Sequence, residues 1–315
     1  MRLSTDEAQL AIETFKLHKS FNGIKAVNDL DLAVPAGSVY GFLGPNGAGK
    51  TTTIRMLTGL SRPDGGQIRI CGKEVRFASI SHRQHIGFLP DVPSFYDWMN
   101  AEEFLCFSGK LFGIDSASLK TRIRELLALV DLSGVKKRIG SYSRGMKQRL
   151  GIAQAMIHDP GVLLLDEPSS ALDPIGRKEV LQIVASLAGK TTVFFSSHIL
   201  ADVERVCDRV VILHKGKKLI EGTMPELKRL AGSRSIQMEL ESTERKAEFV
   251  QYLSALDWVE QVQERGEEIL LGARDLEKAQ YEVPAILSQM ELGLRKFVLL
   301  ETSLEDIFLN AVKES

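Results

Sequence analysis

The segment from Gly44 to Thr51 carries residue types that bind phosphate groups. It reads GPNGAGKT and fits the phosphate-binding loop pattern G-x-x-x-x-G-K-[ST]. The glycines allow the backbone to curl so that successive N–H groups face a polyphosphate in front of a helix N-terminus. We expect Lys50 to reach the β and γ phosphates and the Thr51 hydroxyl to bind Mg²⁺. The predicted nucleotide ligands here are Gly44, Pro45, Asn46, Gly47, Ala48, Gly49, Lys50, Thr51 and Thr52.

Two adjacent carboxylates, Asp166 and Glu167, follow the apolar run VLLL at 162–165. Asp166 is placed to hold Mg²⁺ through its water shell. Glu167 stands one residue further on, where a carboxylate can take a proton from an attacking water. Taken alone, such an acidic pair is usually a solvated strand end. The phosphate-binding loop earlier in the chain favours the catalytic interpretation.

Apolar runs alternating with helical patterns predict the scaffold of these residues up to about residue 225. Buried strands are predicted at 39–43, 86–89, 162–165 and 193–195. Continuous apolar strands separated by helices imply a parallel sheet covered on both faces. The phosphate-binding loop follows the first of these strands and precedes a helical pattern, which disfavours a plain glycine-rich turn. Residues 97–160 are mostly helical and form an insertion, and 208–222 read as a hairpin of two strands bending at 215–217.

The sequence becomes more charged after Pro225, and its pattern changes to strand, helix, strand, strand, helix, strand. This order is the ferredoxin-like arrangement. A final helix, SLEDIFLNAVKE, closes the chain, with Ser303 as its N-cap. We therefore predict two domains, 1–225 and 226–315. The predicted fold class is α/β, with a parallel core sheet of the phosphate-loop type, additional antiparallel strands, a helical insertion and a small ferredoxin-like α+β domain.

Size and composition narrow the class of protein. The 315 residues exceed one typical domain, and 44% apolar with 26% charged residues excludes a disordered or fibrous chain. Lys plus Arg number 40 against 41 Asp plus Glu, and no basic tract stands out. No nucleic-acid partner is therefore expected.

The sequence also bears on membranes and cysteine chemistry. The longest run without a polar residue or glycine, 126–130, is far shorter than the about 20 residues of a spanning helix. The N-terminal MRLSTDEAQL has acidic residues and no apolar stretch, unlike a secretory signal. The widely spaced Cys71, Cys106 and Cys207 fit reduced thiols rather than disulfides or a metal site. A cytoplasmic protein is expected.

Three further motifs complete a known set. YSRGMKQRL at 142–150 precedes the acidic strand end, SSALDP at 169–174 follows it, and SSH at 196–198 ends the next predicted strand. Together with the phosphate-binding loop and the acidic pair, and in this order, they resemble the nucleotide-binding subunits of ATP-binding-cassette (ABC) transporters over roughly residues 10–225. In that family these segments are called the signature motif, the D-loop and the switch histidine.

The resemblance implies a divided active site that binds ATP and Mg²⁺. ATP on the loop of one subunit is closed over by the signature of a second, where Ser143, Arg144 and Gly145 lie at a helix N-terminus. By the same resemblance Asp173 shapes the dimer contact, His198 holds the γ-phosphate and the attacking water, and Glu167 is the general base with Lys50 beside it. A histidine at a strand end and a simple helix cap remain the plainer interpretations of His198 and Ser143.

The sequence departs from the family pattern at three places. Pro90 is followed by Asp91 where the family usually has glutamine, so Asp91 can meet the Mg²⁺ water shell but cannot donate a hydrogen bond. Arg144 stands where glycine is commoner, either adding positive charge near the phosphate in trans or lying in solvent. Phe21 replaces the tyrosine that usually stacks on adenine, and stacking requires only the ring. The alternative interpretation of Phe21 is plain core packing.

These departures and the small second domain resemble the bacterial exporter-type subclass, whose partner is a separate transmembrane permease. The implied partners are that permease and a second nucleotide-binding subunit, identical or related. We expect the permease to contact the aromatic segment 91–99, and the alternative is that its rings pack inside the helical insertion. The implied location is cytoplasmic, peripheral on the inner face of the cell membrane. The alternative is a soluble ABC-type ATPase of translation or DNA maintenance. It is disfavoured because one phosphate-binding loop occurs and residues 52–141 leave no room for a long coiled coil. A protein without enzymatic activity would be expected to lack Lys50 or Glu167.

Overall fold

The computed structural model describes residues 9–77, 79–230, 235–300 and 304–313. These divide into two compact units, one reaching to Met224 and one spanning Pro225–Lys313.

The first unit combines two sheets with helices. Its strands are β1 (Leu10–Phe21), β2 (Ile24–Pro35), β3 (Val39–Leu43), β4 (Gly65–Ile70), β5 (Lys73–Glu74), β6 (Ile86–Leu89), β7 (Val162–Asp166), β8 (Thr192–Ser197), β9 (Arg209–His214) and β10 (Lys217–Thr223). Its α-helices are α1 (Lys50–Leu57), α2 (Ala101–Leu111), α3 (Ser116–Leu129), α4 (Arg144–Ala155), α5 (Pro174–Ser186) and α6 (Leu200–Val206).

The central sheet has the strand order β10-β9-β3-β8-β7-β6. All neighbouring pairs are parallel except β9 and β10, which form the predicted hairpin. Every residue of β3, β7 and β8 is buried, as expected for strands covered on both faces. The carboxyl ends of these three neighbouring strands meet at one edge, which brings the loop, the acidic pair and the histidine together. The predicted parallel core is confirmed.

The second sheet is antiparallel, with the order β2-β1-β4-β5. Its apolar side chains share one hydrophobic core with the central sheet, in which Ile12, Leu17 and Leu30 are fully buried together with Phe42 and Phe194. The apolar runs in the sequence do not mark β1 and β2, because buried and exposed residues mix along both strands. The pairing of β1 with β2 is further interrupted by register shifts.

The predicted helical insertion contains α2, α3 and α4. Helix α2 begins with a capping box, in which Asn100 accepts from the backbone N–H of Glu103 and the Glu103 side chain accepts from the backbone of Asn100. Asp115 is the N-cap of α3, and its side chain accepts from the backbone N–H groups of Ala117 and Ser118. Within the described part of the chain, no helix is both long and apolar enough to cross a membrane.

The second unit is a four-stranded antiparallel sheet with helices. Its elements are α7 (Met224–Leu230), β11 (Ser235–Leu240), α8 (Lys246–Ser254), β12 (Val259–Arg265), β13 (Glu268–Ala273), α9 (Leu276–Gln289), β14 (Leu294–Leu300) and α10 (Leu304–Lys313). The strand order β12-β13-β11-β14 is the ferredoxin-like topology that the sequence predicts. Its own core includes Phe249, Leu253 and Leu271. The predicted N-cap Ser303 lies outside the described residues.

Candidate nucleotide-hydrolysis site

The phosphate-binding loop connects the buried end of β3 to the start of α1. Gly49, the last loop residue, has φ 102°, and a Cβ there would collide with the backbone oxygen of Ala26. Glycine is therefore the only residue that fits this position. The backbone N–H of Gly216 donates to the Ala48 oxygen at 3.2 Å, which ties the loop to the β9–β10 turn. Pro45, Asn46 and Gly47 are exposed at the outside of the loop, and Thr52 is half-buried in α1.

The Lys50 ammonium lies inside the loop. Its Nζ donates to the backbone oxygens of Gly44 at 2.7 Å and Pro45 at 3.3 Å. The same atom is 3.1 Å from Oε1 of Glu167, and the lysine side chain is only 5% exposed. A buried cation in front of a helix N-terminus concentrates positive charge at the position where a phosphate would bind.

Asp166 ends β7 beside Thr51 and Ser196. Its Oδ1 accepts from Ser196 Oγ at 2.7 Å and from Thr51 Oγ1 at 3.3 Å. Burial raises the pKa of Asp166 above its usual range, the two hydrogen bonds oppose that rise, and the nearby charges of Glu167 and Asp91 add to it. The result is a cluster of hard oxygen atoms at the mouth of the loop.

Glu167 connects this cluster to the histidine. Its backbone is left-handed, with φ 50°, and its N–H donates to Ser196 Oγ at 2.9 Å. One carboxylate oxygen faces Lys50, as stated above, and the other lies 2.7 Å from Nδ1 of His198. The Glu167 side chain is 11% exposed and that of His198 is 41% exposed. Strained backbone of this kind is concentrated at functional sites.

Asp91 and Phe21 lie at the periphery of this arrangement. Asp91 Oδ1 accepts from Ser170 Oγ at 2.9 Å, which links the second residue after β6 to the D-loop segment. Phe21 ends β1 with half of its surface exposed, and Lys19 Nζ lies 5.4 Å from the ring centre. Within the described ranges, no hydrogen bond or ring contact joins Phe21 to residues 44–52.

The signature and the D-loop lie at two helix N-termini. Ser143 is the N-cap of α4, accepting from the backbone N–H of Met146 at 3.2 Å, and Asp173 is the N-cap of α5. A Cβ added to Gly145 would be 3.7 Å from Cα of Gly176, so the two helix starts are close. Arg144 is exposed. Among the residues that the structure describes, no hydrogen bond or ion pair joins 143–145 to this chain's own phosphate-binding loop.

Ser196 and Asp202 were not singled out by the sequence. Ser196 belongs to the SSH motif, but its two hydrogen bonds hold both Asp166 and Glu167. Asp202 is a buried acid that accepts from Ser169 Oγ at 2.6 Å. The position of Ser196, two residues before His198 in the SSH motif, was a usable signal for it. Asp202 has no local signal, because its partner lies 33 positions away.

Known proteins similar in sequence or fold to this chain are ATP-binding subunits of transporters. Residues 27–170 match the ABC transporter family. The bacitracin transport ATP-binding protein BcrA of Bacillus licheniformis is 46% identical over 221 residues, covering 69% of this chain and 71% of that protein. The daunorubicin/doxorubicin resistance ATP-binding protein DrrA of Streptomyces peucetius is 38% identical over 302 residues, covering 95% of this chain and 91% of that protein. A solved ATP-binding subunit of an ABC transporter, 30% identical, gives a TM-score of 0.64 and covers 70% of this chain and 93% of its own.

The parallel sheet, the loop and the acidic strand end define an ATPase of the phosphate-binding-loop class. Within that class, the chain belongs to the ATP-binding subunits of ABC transporters.

Proposed function

We propose that this chain powers a separate transmembrane permease by hydrolysing ATP, and that the complex works in export. Subunits of this family generally pair with permeases and dimerise. Relatives named for bacitracin transport and for daunorubicin and doxorubicin resistance support export as the direction of transport. The residues that hydrolyse ATP are those predicted from the motifs. The observation that carries this proposal is the position of the Glu167 carboxylate between Lys50 Nζ and His198 Nδ1.

Glu167 is the general base in this proposal. Its carboxylate takes a proton from the water that attacks the γ-phosphate, since it lies at the loop mouth and is largely shielded from solvent. His198 orients that water and the phosphate, and its contact with Glu167 fixes the carboxylate. Lys50 neutralises charge on the β and γ phosphates. The adenine stacks on the exposed ring of Phe21.

The oxygen cluster suits Mg²⁺. This ion prefers oxygen ligands, keeps several waters and is usually bound by one or two carboxylates plus substrate phosphates. The Thr51 hydroxyl and the Asp166 carboxylate would hold it, with Asp91 at the edge of its water shell. When bound there, Mg²⁺ would supply positive charge that neutralises the β and γ phosphates.

A second subunit completes the site. Ser143, Arg144 and Gly145 lie at the start of α4, where Ser143 is the N-cap and both Ser143 and Arg144 are exposed. Such a helix start is a ready-made site for the γ-phosphate of ATP bound to a partner. Asp173, at the neighbouring helix start, faces the same partner. Two ATP molecules then favour the closed dimer, and hydrolysis releases it.

The permease docks in a groove of about 540 Å³ between β6, α2 and the end of α4. Its walls are mainly aromatic and aliphatic, including Phe88, Phe95, Tyr96, Phe104, Phe107 and Leu111. Phe95 packs edge-on against Phe104 at 5.2 Å, whereas Tyr96 is 40% exposed beside it. An exposed apolar groove of this kind fits an inserted segment of a partner. Docking there holds the subunit on the inner face of the membrane.

The Glu167→Gln variant tests the catalytic part. It removes the charge while preserving size, so we expect ATP turnover to fall on the order of 10²–10⁴-fold while ATP binding persists. Glu125→Gln, at a carboxylate that is 62% exposed in α3, is the matched control. Wild-type turnover by the Glu167→Gln protein would remove Glu167 from the role of base.

The same variant tests the partner. Tagged Glu167→Gln protein is captured with Mg-ATP from detergent-solubilised native membranes, and its partners are identified by mass spectrometry. A multi-helix membrane protein is expected. Ribosomal or DNA-bound partners without a membrane chain would instead support a soluble ATPase of translation or DNA maintenance.

A further inference from the structure

The most deeply buried carboxylate outside the proposed catalytic groups, among the described residues, belongs to Asp202 in α6, which is 2% exposed. Both of its oxygens are used. Oδ2 accepts from Ser169 Oγ at 2.6 Å, and Oδ1 accepts from Arg177 Nε at 2.6 Å. Ser169 is itself 1% exposed, and the Arg177 side chain is 32% exposed. These three residues are called the Asp202 bridge below.

A charge at this depth requires compensation. An uncompensated buried carboxylate is strongly unfavourable, and burying a charge is tolerated when the group is paired and fully hydrogen-bonded. The guanidinium supplies the opposite charge and the hydroxyl supplies the second donor, both at short, charge-assisted distances. Replacing the pair with apolar residues would often be neutral for stability. A stability requirement alone therefore does not explain why an acid is present here.

The position of the bridge in the chain suggests its purpose. Ser169 lies two residues after Glu167, and Asp202 lies four residues after His198. Arg177 lies in α5, the helix that Asp173 caps. The Asp202 carboxylate thus joins three parts of the chain. These are the segment after Glu167, the helix α5 that begins beside the D-loop, and the helix α6 that follows His198.

We propose that Asp202 is a positioning residue for ATP hydrolysis, which keeps Glu167 and His198 in register with each other and with the D-loop. This inference rests on the roles assigned to those residues under the proposed function. Asp202 touches neither the nucleotide nor the reacting atoms and acts through the two segments that it joins.

The backbone geometry of the segment 167–173 explains why it requires a stabilising contact. Glu167 and Ala171 both have left-handed backbones, with φ 50° and 51°, conformations that cost energy for residues other than glycine. Such a segment keeps its shape only when surrounding contacts over-determine it. Ser169, between these two residues, makes the contact to Asp202. Losing it allows the Glu167 carboxylate to move relative to His198, and a displacement of about 1 Å can reduce catalysis about 10²-fold.

The test separates catalysis from binding. Asp202→Asn keeps the volume and removes the charge, and Ser169→Ala removes one hydrogen bond from the same carboxylate. For both full-length variants we expect kcat for ATP to fall by about tenfold to a hundredfold, with the ATP Kd within about twofold of wild type, because the phosphate-binding loop is untouched. Thermal unfolding is measured in parallel.

Tyr40→Phe is the matched control. It deletes another hydroxyl-to-carboxylate hydrogen bond of 2.6 Å, from Tyr40 to Glu221, at the end of β3 remote from the phosphate-binding loop. Its kcat should match that of wild type. A kcat within twofold of wild type in both bridge variants overturns the proposal. So does a fall in kcat that is accompanied by an equal weakening of ATP binding and early melting, because that pattern marks general structural damage.

Two further arms complete the test. If Asp202→Asn does not fold, the milder Ser169→Ala decides. Glu167→Gln in the same assay distinguishes a failure of the bridge proposal from a failure of the proposed base. If Glu167→Gln loses turnover and both bridge variants keep it, the positioning role of the Asp202 bridge is overturned and the proposed function stands. Normal turnover in Glu167→Gln removes the proposed base itself.

Discussion

At the scale of single residues, Gly49 shows how the loop geometry depends on a missing side chain. Its left-handed backbone is strained for any other residue by about 1–2 kcal/mol, and a Cβ would also strike the Ala26 oxygen. We expect Gly49→Ala to reduce the free energy of unfolding by that strain energy and by about 1–3 kcal/mol more from the collision. ATP affinity should be lost as well, because the backbone N–H groups that face the phosphates move.

The control for this prediction is Gly113→Ala. Gly113 also has a positive φ, 74°, but nothing lies within 4 Å of an added Cβ. Its variant should therefore show only the strain and should bind ATP normally. Both proteins are compared by denaturant unfolding and by nucleotide titration. Equal losses of stability in the two variants would contradict the role given to the contact between Gly49 and Ala26.

At the scale of elements, the groove proposed for the permease is formed by a strand, helices and a loop. Tyr96 and Phe107 lie 5.5 Å apart in an edge-on contact and are 40% and 37% exposed, so they can be truncated with little loss of packing. We expect the Tyr96→Ala, Phe107→Ala protein to keep the ATPase rate of the isolated subunit. Its recovery of the membrane partner from detergent-solubilised membranes should fall at least about tenfold, since a loss of only 1.4 kcal/mol of binding has that effect.

Phe77→Ala is the control for the groove, because Phe77 is 53% exposed and is not part of the groove wall. It should leave both ATPase rate and partner recovery unchanged. If the double variant loses ATPase activity together with partner recovery, the two rings stabilise the insertion rather than bind the permease.

The parallel strands were predictable because strands buried on both faces consist of continuous apolar runs. The strand predicted at 162–165 is observed at Val162–Asp166, and the ferredoxin-like order was recovered from short alternating segments. The antiparallel strands β1 and β2 were not located, since their mixed burial and register shifts break every simple period. Sequence spacing could also not show that Ser196 supports both carboxylates, because that depends on which strands are neighbours.

The catalytic candidates were predictable for a different reason. Lys50 and Glu167 belong to motifs whose spacing is fixed by the turn after a strand. Their contact at 3.1 Å across 117 positions arises because β3 and β7, which lie on either side of β8, end at the same edge of the sheet. In the Asp202 bridge only Ser169 belongs to a motif, and its contact with Asp202 depends on how α6 packs against the D-loop segment and α5.

At the scale of the whole molecule, the division after Met224 separates the nucleotide site from the second unit. Every predicted site residue precedes the boundary, and the second unit has its own core around Phe249 and Leu271. We therefore expect a chain ending at Met224 to bind ATP with a Kd within about twofold of the full chain, since each unit buries its own core. Residues 225–315 expressed alone should fold, as judged by circular dichroism and a cooperative melt.

The truncated chain also shows what the second unit contributes to assembly. With Glu167→Gln added, ATP-driven dimerisation of residues 1–224 is measured by light scattering against the full-length Glu167→Gln protein. Because the phosphate-binding loop, the signature and the D-loop all lie in the first unit, we expect dimers in both. Dimers in the full chain alone would assign a dimer contact to the second unit. Failure of residues 1–224 to bind ATP at all would show that the boundary does not separate independent units.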